Sequence, residues 1–299
     1  MPSLEIHPLS ELRDEAAALL AERYAAQRAA EPLLPAVDDF AAHVPADDGV
    51  VATRGNRAVA YLAGSTDGDT AWARFAGCAA SEPEALRDLF AVMAERWDVA
   101  RFQVAVPASD RALVDVFFRL AFGAQAARAV RETEATAPVD FGGTIRASTP
   151  DDLEAIAGFD EILWLLQARS PSFSGRTIPP RSSFREEWAD LWDDEVQYPY
   201  HVVAERDGRI VGHALLYARP EGDLRVPTSN VDLGHAATLD DVRGTGVGVA
   251  LTAHVLSWAH AHGYRSMTVD WRIVNLLSSR FWPRRGFRPQ YLRLYRAVP

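Results

Sequence analysis

Six residues near the end of the chain, Arg243-Gly244-Thr245-Gly246-Val247-Gly248, have the makings of an anion cradle. They follow an apolar-leaning run at 231–238 and an acidic turn at Asp240-Asp241, and they lead into a helical stretch at 249–259. Glycines at 244, 246 and 248 allow a tight turn and leave N–H groups uncovered by side chains. At a helix start those N–H groups lack internal partners, and the aligned peptide dipoles favour negative charge. Arg243 adds a permanently charged, planar fork of donors. The chemistry this suits is phosphate binding. The spacing is not that of a G-x-x-x-x-G-K-S/T loop, and it lacks the third glycine of the dinucleotide fingerprint G-x-G-x-x-G.

Three side chains upstream could take a proton from a nucleophile: Asp232 and His235 on the run entering the loop, and His213 on the run before it. Each reads equally well as a solvated or core-edge residue. Regular strand alternation puts Asp232 and His235 on opposite faces, so they are not expected to act together. His254, His260 and His262 fall on the helix after the loop and read as surface or packing residues. With no cysteine pair and no H-E-x-x-H, no metal is expected. The single cysteine, Cys78, excludes an internal disulfide, fits a reducing compartment and reads as a small core residue.

These residues must be positioned by elements, and 299 residues suit two domains of about 150. A net charge of −10 argues against a nucleic-acid partner. No apolar run approaches the ~20 residues of a membrane span, and the start, Met1-Pro2-Ser3-Leu4-Glu5-Ile6, has no signal-peptide pattern. A cytoplasmic protein without a membrane partner is expected; nothing in the sequence sets an oligomeric state.

In order, the first half reads as a strand at 4–7, a helix at 9–28, a short helix at 38–44, and a hairpin of 50–53 and 58–63 about Arg54-Gly55-Asn56-Arg57. A strand at 71–76 and a helix from Ser81, spaced as a capping box with Glu84, come next. A strand at 102–106 and a helix at 110–121 ending on Gly123 follow. Pro138 to Gly143 reads as a linker. Then the order restarts: strand 144–147, helix 150–169, a Ser/Pro/Gly loop at 170–180, helix 184–192, and a hairpin of 201–205 and 210–217 about Arg206-Asp207-Gly208-Arg209. The glycine loop and its helix to 262, strand 266–271, helix 276–284 and strand 290–295 complete the chain. The order β-α-α-β-β-β-α-β-α-β is an internal duplication, with a longer second copy.

Within that frame the motifs resemble those of the GNAT superfamily of N-acetyltransferases. Arg243 to Gly248 matches R-x-x-G-x-G, and Ala236-Ala237-Thr238 occupy the strand positions ahead of it. Asn275-x-x-Ser278-x-x-Phe281-Trp282-x-x-x-Gly286-Phe287 is similar to N-x-x-A-x-x-F/L-Y-x-x-x-G-F. The tandem arrangement resembles that of mycothiol synthase. The resemblance implies an α/β fold of the α+β type: two tandem domains, each a mixed, mostly antiparallel sheet flanked by helices. It divides them at 1–138, a degenerate copy, and 139–299, the copy with an acyl-CoA site. It implies acetyl-CoA as co-substrate and a small-molecule amine as acceptor. The cofactor would be held by Ala236, Ala237, Thr238, Arg243, Gly244, Thr245, Gly246, Val247, Gly248, Asn275, Ser278, Phe281 and Trp282. Asn275 alone reads as a helix N-cap.

The sequence departs from the family at Trp282, where the resemblance implies a tyrosine that protonates the leaving sulfur. An indole N–H donates a hydrogen bond but is not a usable acid. Water, Tyr264 or Tyr291 could substitute, or the domain could bind acyl-CoA without turnover. In the first half Cys78-Ala79-Ala80-Ser81-Glu82-Pro83-Glu84 stands where the loop belongs, and its glutamates would repel a pyrophosphate. The segment holding Trp164, Phe173, Phe184, Trp188, Trp192, Tyr198 and Tyr200 with Asp190, Asp193, Asp194 and Glu195 would suit a cationic acceptor, or is ordinary packing with solvated acids.

Overall fold

The chain reverses at Arg54-Gly55-Asn56-Arg57 and again at Arg206-Asp207-Gly208-Arg209. Gly55 (φ 59°), Asp207 (φ 53°) and Gly208 (φ 71°) take left-handed conformations, which match two-residue turns to the twist of their strands. The computed structural model describes residues 3–46, 48–172, 178–220 and 222–298. They form two compact units: Met1–Arg128 with Gly222–Pro227 and Pro289–Pro299, and Ala129–Glu221 with Thr228–Arg288.

The first unit runs β1 (Leu4–Pro8), α1 (Arg13–Ala30), β2 (Gly49–Arg54), β3 (Arg57–Ala63), β4 (Ser65–Asp67), β5 (Thr70–Ala73), β6 (Cys78–Ala80), α2 (Ala85–Trp97), β7 (Arg101–Pro107), α3 (Arg111–Arg119) and the first part of β8 (Gly123–Glu132). One sheet has the order β1-β2-β3-β6, all antiparallel. Alternation along β2 and β3 sorts their side chains between two cores. Val50, Ala52, Ala60 and Leu62 cluster with Leu86, Leu89, Phe90 and Met93 of α2, which recur at helical spacing. Val51, Tyr61 and Ala63 cluster with Ala16, Leu19, Leu20 and Tyr24 of α1.

The second unit takes the end of β8, then β9 (Thr144–Ala147), α4 (Leu153–Ala168), α5 (Arg181–Trp188), β10 (Tyr200–Arg206), β11 (Arg209–Ala218), β12 (Asn230–Thr238), α6 (Val247–Ala261), β13 (Ser266–Arg272) and α7 (Leu276–Arg284). Its strands are ordered β13-β12-β11-β10-β9. Only β12 and β13 pair in parallel, and α6 is the crossover such a pair requires. The last strand, β14 (Arg288–Ala297), belongs to the first unit, antiparallel to β7 from Tyr291↔Pro107 to Ala297↔Arg101. Residues 222–227 join it there: Leu224 sits in the α1 core, and its carbonyl accepts from the Tyr24 hydroxyl (3.2 Å). A cut between 138 and 139 therefore lies inside the second unit, and the two units interleave along the chain.

Local departures have local causes. Residues 38–44 form a turn rather than a helix, with His43 and Val44 N–H both on the Phe40 carbonyl. Ser81 does not cap α2, because its hydroxyl donates to the Val59 carbonyl (3.4 Å) and Glu84 is taken by Arg87 and Arg119. Leu120 ends α3, and Ala121 rather than Gly123 takes the left-handed conformation (φ 63°). Phe173 and the residues to 177 lie outside the described residues. No helix among the described residues is long and apolar enough to cross a membrane.

Candidate functional site

The site is organised by an irregular strand. Parallel pairing of β12 with β13 runs from Asn230↔Ser266 to Leu233↔Val269 and stops. From Gly234 to Thr238 the strand is paired with β11 alone among the described strands, so its other edge offers backbone donors and acceptors to a ligand. Pairing with β11 also shifts: Leu215 faces His235, Leu216 faces Leu233, and Gly234 is the extra residue of a bulge. A Cβ on Gly234 would lie 2.2 Å from the Tyr217 ring, so only glycine fits. The bulge inverts the alternation. Asp232, opposite Tyr217, and His235, opposite Leu215, therefore come onto one face. The opposite faces expected from a regular strand are not found.

Beyond β12 the loop turns into α6. Gly244 (φ 81°) and Gly246 (φ 96°) take conformations that a side chain would strain. Gly246 is the N-cap of α6 and no side chain caps it, so the first N–H groups of the helix are open to an anion. Thr245 braces the turn, accepting from Arg206 Nη2 (3.1 Å) and donating to the Val242 carbonyl (2.8 Å). Arg243 pairs with exposed Asp240 (2.6 Å). A cavity of about 540 Å³ runs between this loop, the open edge of β12 and α7.

Most of the residues expected to hold a cofactor meet there. Ala236, Ala237, Thr238, Arg243, Gly244, Gly246 and Gly248 line the cavity, as do Asn275, Ser278, Phe281 and Trp282. Thr245 and Val247 do not; Thr245 holds the turn and Val247 is core. Asn275 caps α7, accepting from the N–H of Leu277 (3.0 Å) and Ser278 (3.4 Å). Trp282 is 7% exposed and meets Phe281 and Phe287 edge to face. Neither Tyr264 nor Tyr291 lines the cavity, and no tyrosine is among its described lining residues.

The three candidate bases separate by their partners. Asp232 is buried; it accepts from Arg219 (2.6 and 2.8 Å) and from the Thr268 hydroxyl (2.9 Å), and it does not line the cavity. His235 is half-buried and, like Asp232, is not among the cavity's lining residues; its Nδ1 is 3.0 Å from Asp160 Oδ1. The other Asp160 oxygen accepts from the Trp188 indole, whose ring meets the imidazole edge-on at 5.0 Å. Burial pushes the Asp160 carboxyl up, but the hydrogen bond and charge of His235 and the Trp188 N–H outweigh it and hold it below its ordinary value. A carboxylate only accepts, so His235 carries a proton on Nδ1 in this contact. His213 lines the cavity, stacks on Phe159 at 4.9 Å, and is held by His201, 3.1 Å away. Burial pushes His201 down to about 3 and His213 well below its ordinary value.

Asp160, Trp188, Arg219 and His201 carry no motif signal. The identity and spacing of Asp160 on α4 say nothing of a histidine on β12. The aromatic and acidic segment divides: Phe184 and Trp188 are buried, whereas Asp190, Asp193, Asp194 and Glu195 are exposed. His254 is bonded to the Tyr200 hydroxyl (2.9 Å). Among the described residues no group of three His, Cys, Asp or Glu is placed to hold a metal ion.

The corresponding start of α2 in the first unit is closed. Glu82 pairs with Arg54 (2.6 Å), and Glu84 pairs with Arg87 (2.6 Å) and Arg119 (2.8 Å). Cys78 is fully buried, and burial pushes its thiol up to about 11. Asp110 caps α3, accepting from the Leu113 N–H (2.9 Å).

The acetyltransferase (GNAT) family model matches residues 161–287, the stretch that holds the open strand, the loop and α7. The match covers less than half of the chain. Solved structures extend the likeness to the whole chain at the level of the fold. A GCN5-related N-acetyltransferase from Sphaerobacter thermophilus is 16% identical, with 98% of this chain and 95% of that one covered and a TM-score of 0.59. A tandem GNAT protein from the clavulanic acid biosynthesis pathway is 17% identical, with 99% of each chain covered and a TM-score of 0.52. A GNAT-family acetyltransferase from Colwellia psychrerythraea is 11% identical, with 99% and 100% covered and a TM-score of 0.53. No curated protein matches. The chain has the tandem GNAT fold, and the cavity is lined by residues of the stretch that the family model matches.

Proposed function

We propose that the GNAT domain transfers an acetyl group from acetyl-CoA to the amine of a small molecule. The observation that carries this reading is the coincidence, in one cavity, of an uncapped helix start beside Arg243 and an open strand edge at Gly234–Thr238. The first suits a pyrophosphate, and the second suits an amide-bearing arm ending in a thioester. The first unit, whose corresponding helix start is occupied by paired glutamates, contributes no second cofactor site.

His235, adjacent in sequence to the lining residue Ala236 though not itself lining the cavity, serves as the base. Asp160 holds the ring by Nδ1, and Nε2 of the neutral form takes the proton as the amine attacks the thioester carbon directly. Asp232 is excluded by its commitment to Arg219. The acids of the 190–195 segment are exposed and do not line the cavity, so no charge preference for the acceptor is proposed. A second reading, an acyl-CoA-binding sensor without turnover, is favoured by Trp282 and by the lack of a tyrosine among the described lining residues. Thiol release from acetyl-CoA with a panel of small amines separates the two. Transfer to at least one amine, reduced about 100-fold in His235→Gln, is expected. Tight binding with no transfer to any amine favours the sensor.

A further inference from the structure

Trp192, Ser148, His201 and His213 form a hydrogen-bonded chain that ends at the cavity. Trp192 Nε1 is 3.0 Å from Ser148 Oγ, Ser148 Oγ is 3.0 Å from His201 Nδ1, and His201 Nε2 is 3.1 Å from His213 Nδ1. Its direction follows from the one member that cannot accept. An indole N–H only donates, so Ser148 Oγ accepts from Trp192 and its single hydrogen goes to His201 Nδ1. His201 then carries its proton on Nε2 and gives it to His213 Nδ1. The His213 proton is left on Nε2. The reverse direction would strand the Ser148 hydroxyl hydrogen without an acceptor, which disfavours it roughly tenfold or more. Burial keeps both rings neutral, His201 by a shift down to about 3 and His213 by a shift in the same direction.

His213 is therefore poorly suited to be a base: the nitrogen not bonded to His201 already holds a proton. It stands on β11 opposite Ala237 of β12, and both residues line the cavity. Its ring is clamped by Phe159 at 4.9 Å and 18°. Among the described residues no hydrogen bond is made to Nε2.

We propose that His213 Nε2–H is a fixed, neutral donor to the carbonyl oxygen of the acyl group, and that Trp192, Ser148 and His201 are positioning residues that set its tautomer. This rests on the acetyl-transfer reading above. As the amine nitrogen adds to the thioester carbon, the carbonyl pair moves onto oxygen and is met by Nε2–H. The C–S bond then breaks, its electron pair leaves on sulfur, and the proton of the amine passes to His235. No proton leaves His213. A donor aimed at developing charge in a water-poor site acts on the transition state more than on binding.

Nitrogen-15 NMR of the histidine side chains in the full, ligand-free chain reads the tautomer directly. A protonated Nε2 and bare Nδ1 on His213 are expected, with a second tautomer arising in Trp192→Phe. A protonated Nδ1 in the unsubstituted chain overturns the proposal, and a single unchanged tautomer in Trp192→Phe overturns the assignment of Trp192. Infrared spectra of bound acetyl-CoA labelled at the carbonyl carbon then read the contact itself. The stretch should lie lower in the unsubstituted protein than in His213→Phe or Trp192→Phe, and kcat for His213→Phe should fall about 100-fold with KM for acetyl-CoA within roughly threefold. An identical stretch in all three proteins overturns the proposal while leaving acetyl transfer intact. Failure of acetyl-CoA to bind contradicts the acetyl-transfer reading, and the proposal falls with it.

Discussion

Acidification should destabilise the protein well above the range in which its carboxylates titrate, because two buried imidazoles cannot take up protons while folded. His201 titrates near 6.5 when exposed and at about 3 in place, driven chiefly by burial and then by the charge of His235. Between those values the unfolded chain holds a proton that the folded chain does not. Stability therefore rises with pH in that window, by about 1.4 kcal/mol per unit for one such group. From pH 8 to pH 5 the loss from His201 alone is about 2 kcal/mol, since only the stretch below 6.5 counts. His213 and His254 are shifted down as well, mainly by burial, and add in the same direction. Asp160 and Asp152 are held below 3.8, so their contribution is lost only as the pH falls further. Urea denaturation followed by tryptophan fluorescence at pH 8, 6.5, 5.5 and 5 tests this. The midpoint should be flat above 6.5 and fall steadily below it, with a shallower fall in His201→Asn. A midpoint constant from pH 8 to pH 5 refutes the buried, neutral state of the pair.

Three substitutions probe the irregular strand that builds the cavity. Gly234→Ala places a methyl carbon 2.2 Å from the Tyr217 ring, so the strand or the ring must move; a loss of about 1–3 kcal/mol in urea denaturation is expected. Arg219→Ala leaves the buried Asp232 carboxylate without its cation and should cost about 3 kcal/mol. Asp232→Asn should retain acetyl transfer in the thiol-release assay, since this carboxylate holds the strand and is not the base.

Much of the fold was legible because it is written locally. Two Arg-x-x-Arg hairpin turns, the helical spacing of Leu86, Leu89, Phe90 and Met93, and the cap at Asn275 each announce themselves within a few residues. The strand-loop-helix of the site was legible for the same reason: 244 and 246 take conformations that call for glycine, whatever surrounds the turn. The rest depends on contacts remote in sequence. Nothing near Gly234 shows that Tyr217 will lie over it, so the bulge, and with it the shared face of Asp232 and His235, was hidden. Asp160 and His235 are separated by α5, β10 and β11, and Arg219 looked like any surface arginine. The return of β14 to the first unit was hidden too, because its apolar pattern is satisfied by β7 as well as by any other partner.

Calorimetric titration of acetyl-CoA into the full chain, beside Arg243→Glu, tests the central claim most directly. One equivalent should bind per chain, and affinity should fall at least about tenfold when the guanidinium beside the α6 start is replaced by a carboxylate, with the circular dichroism of the variant unchanged. Equal affinity in the two proteins, or two equivalents bound per chain, would contradict a single acyl-CoA site built on the 243–248 loop.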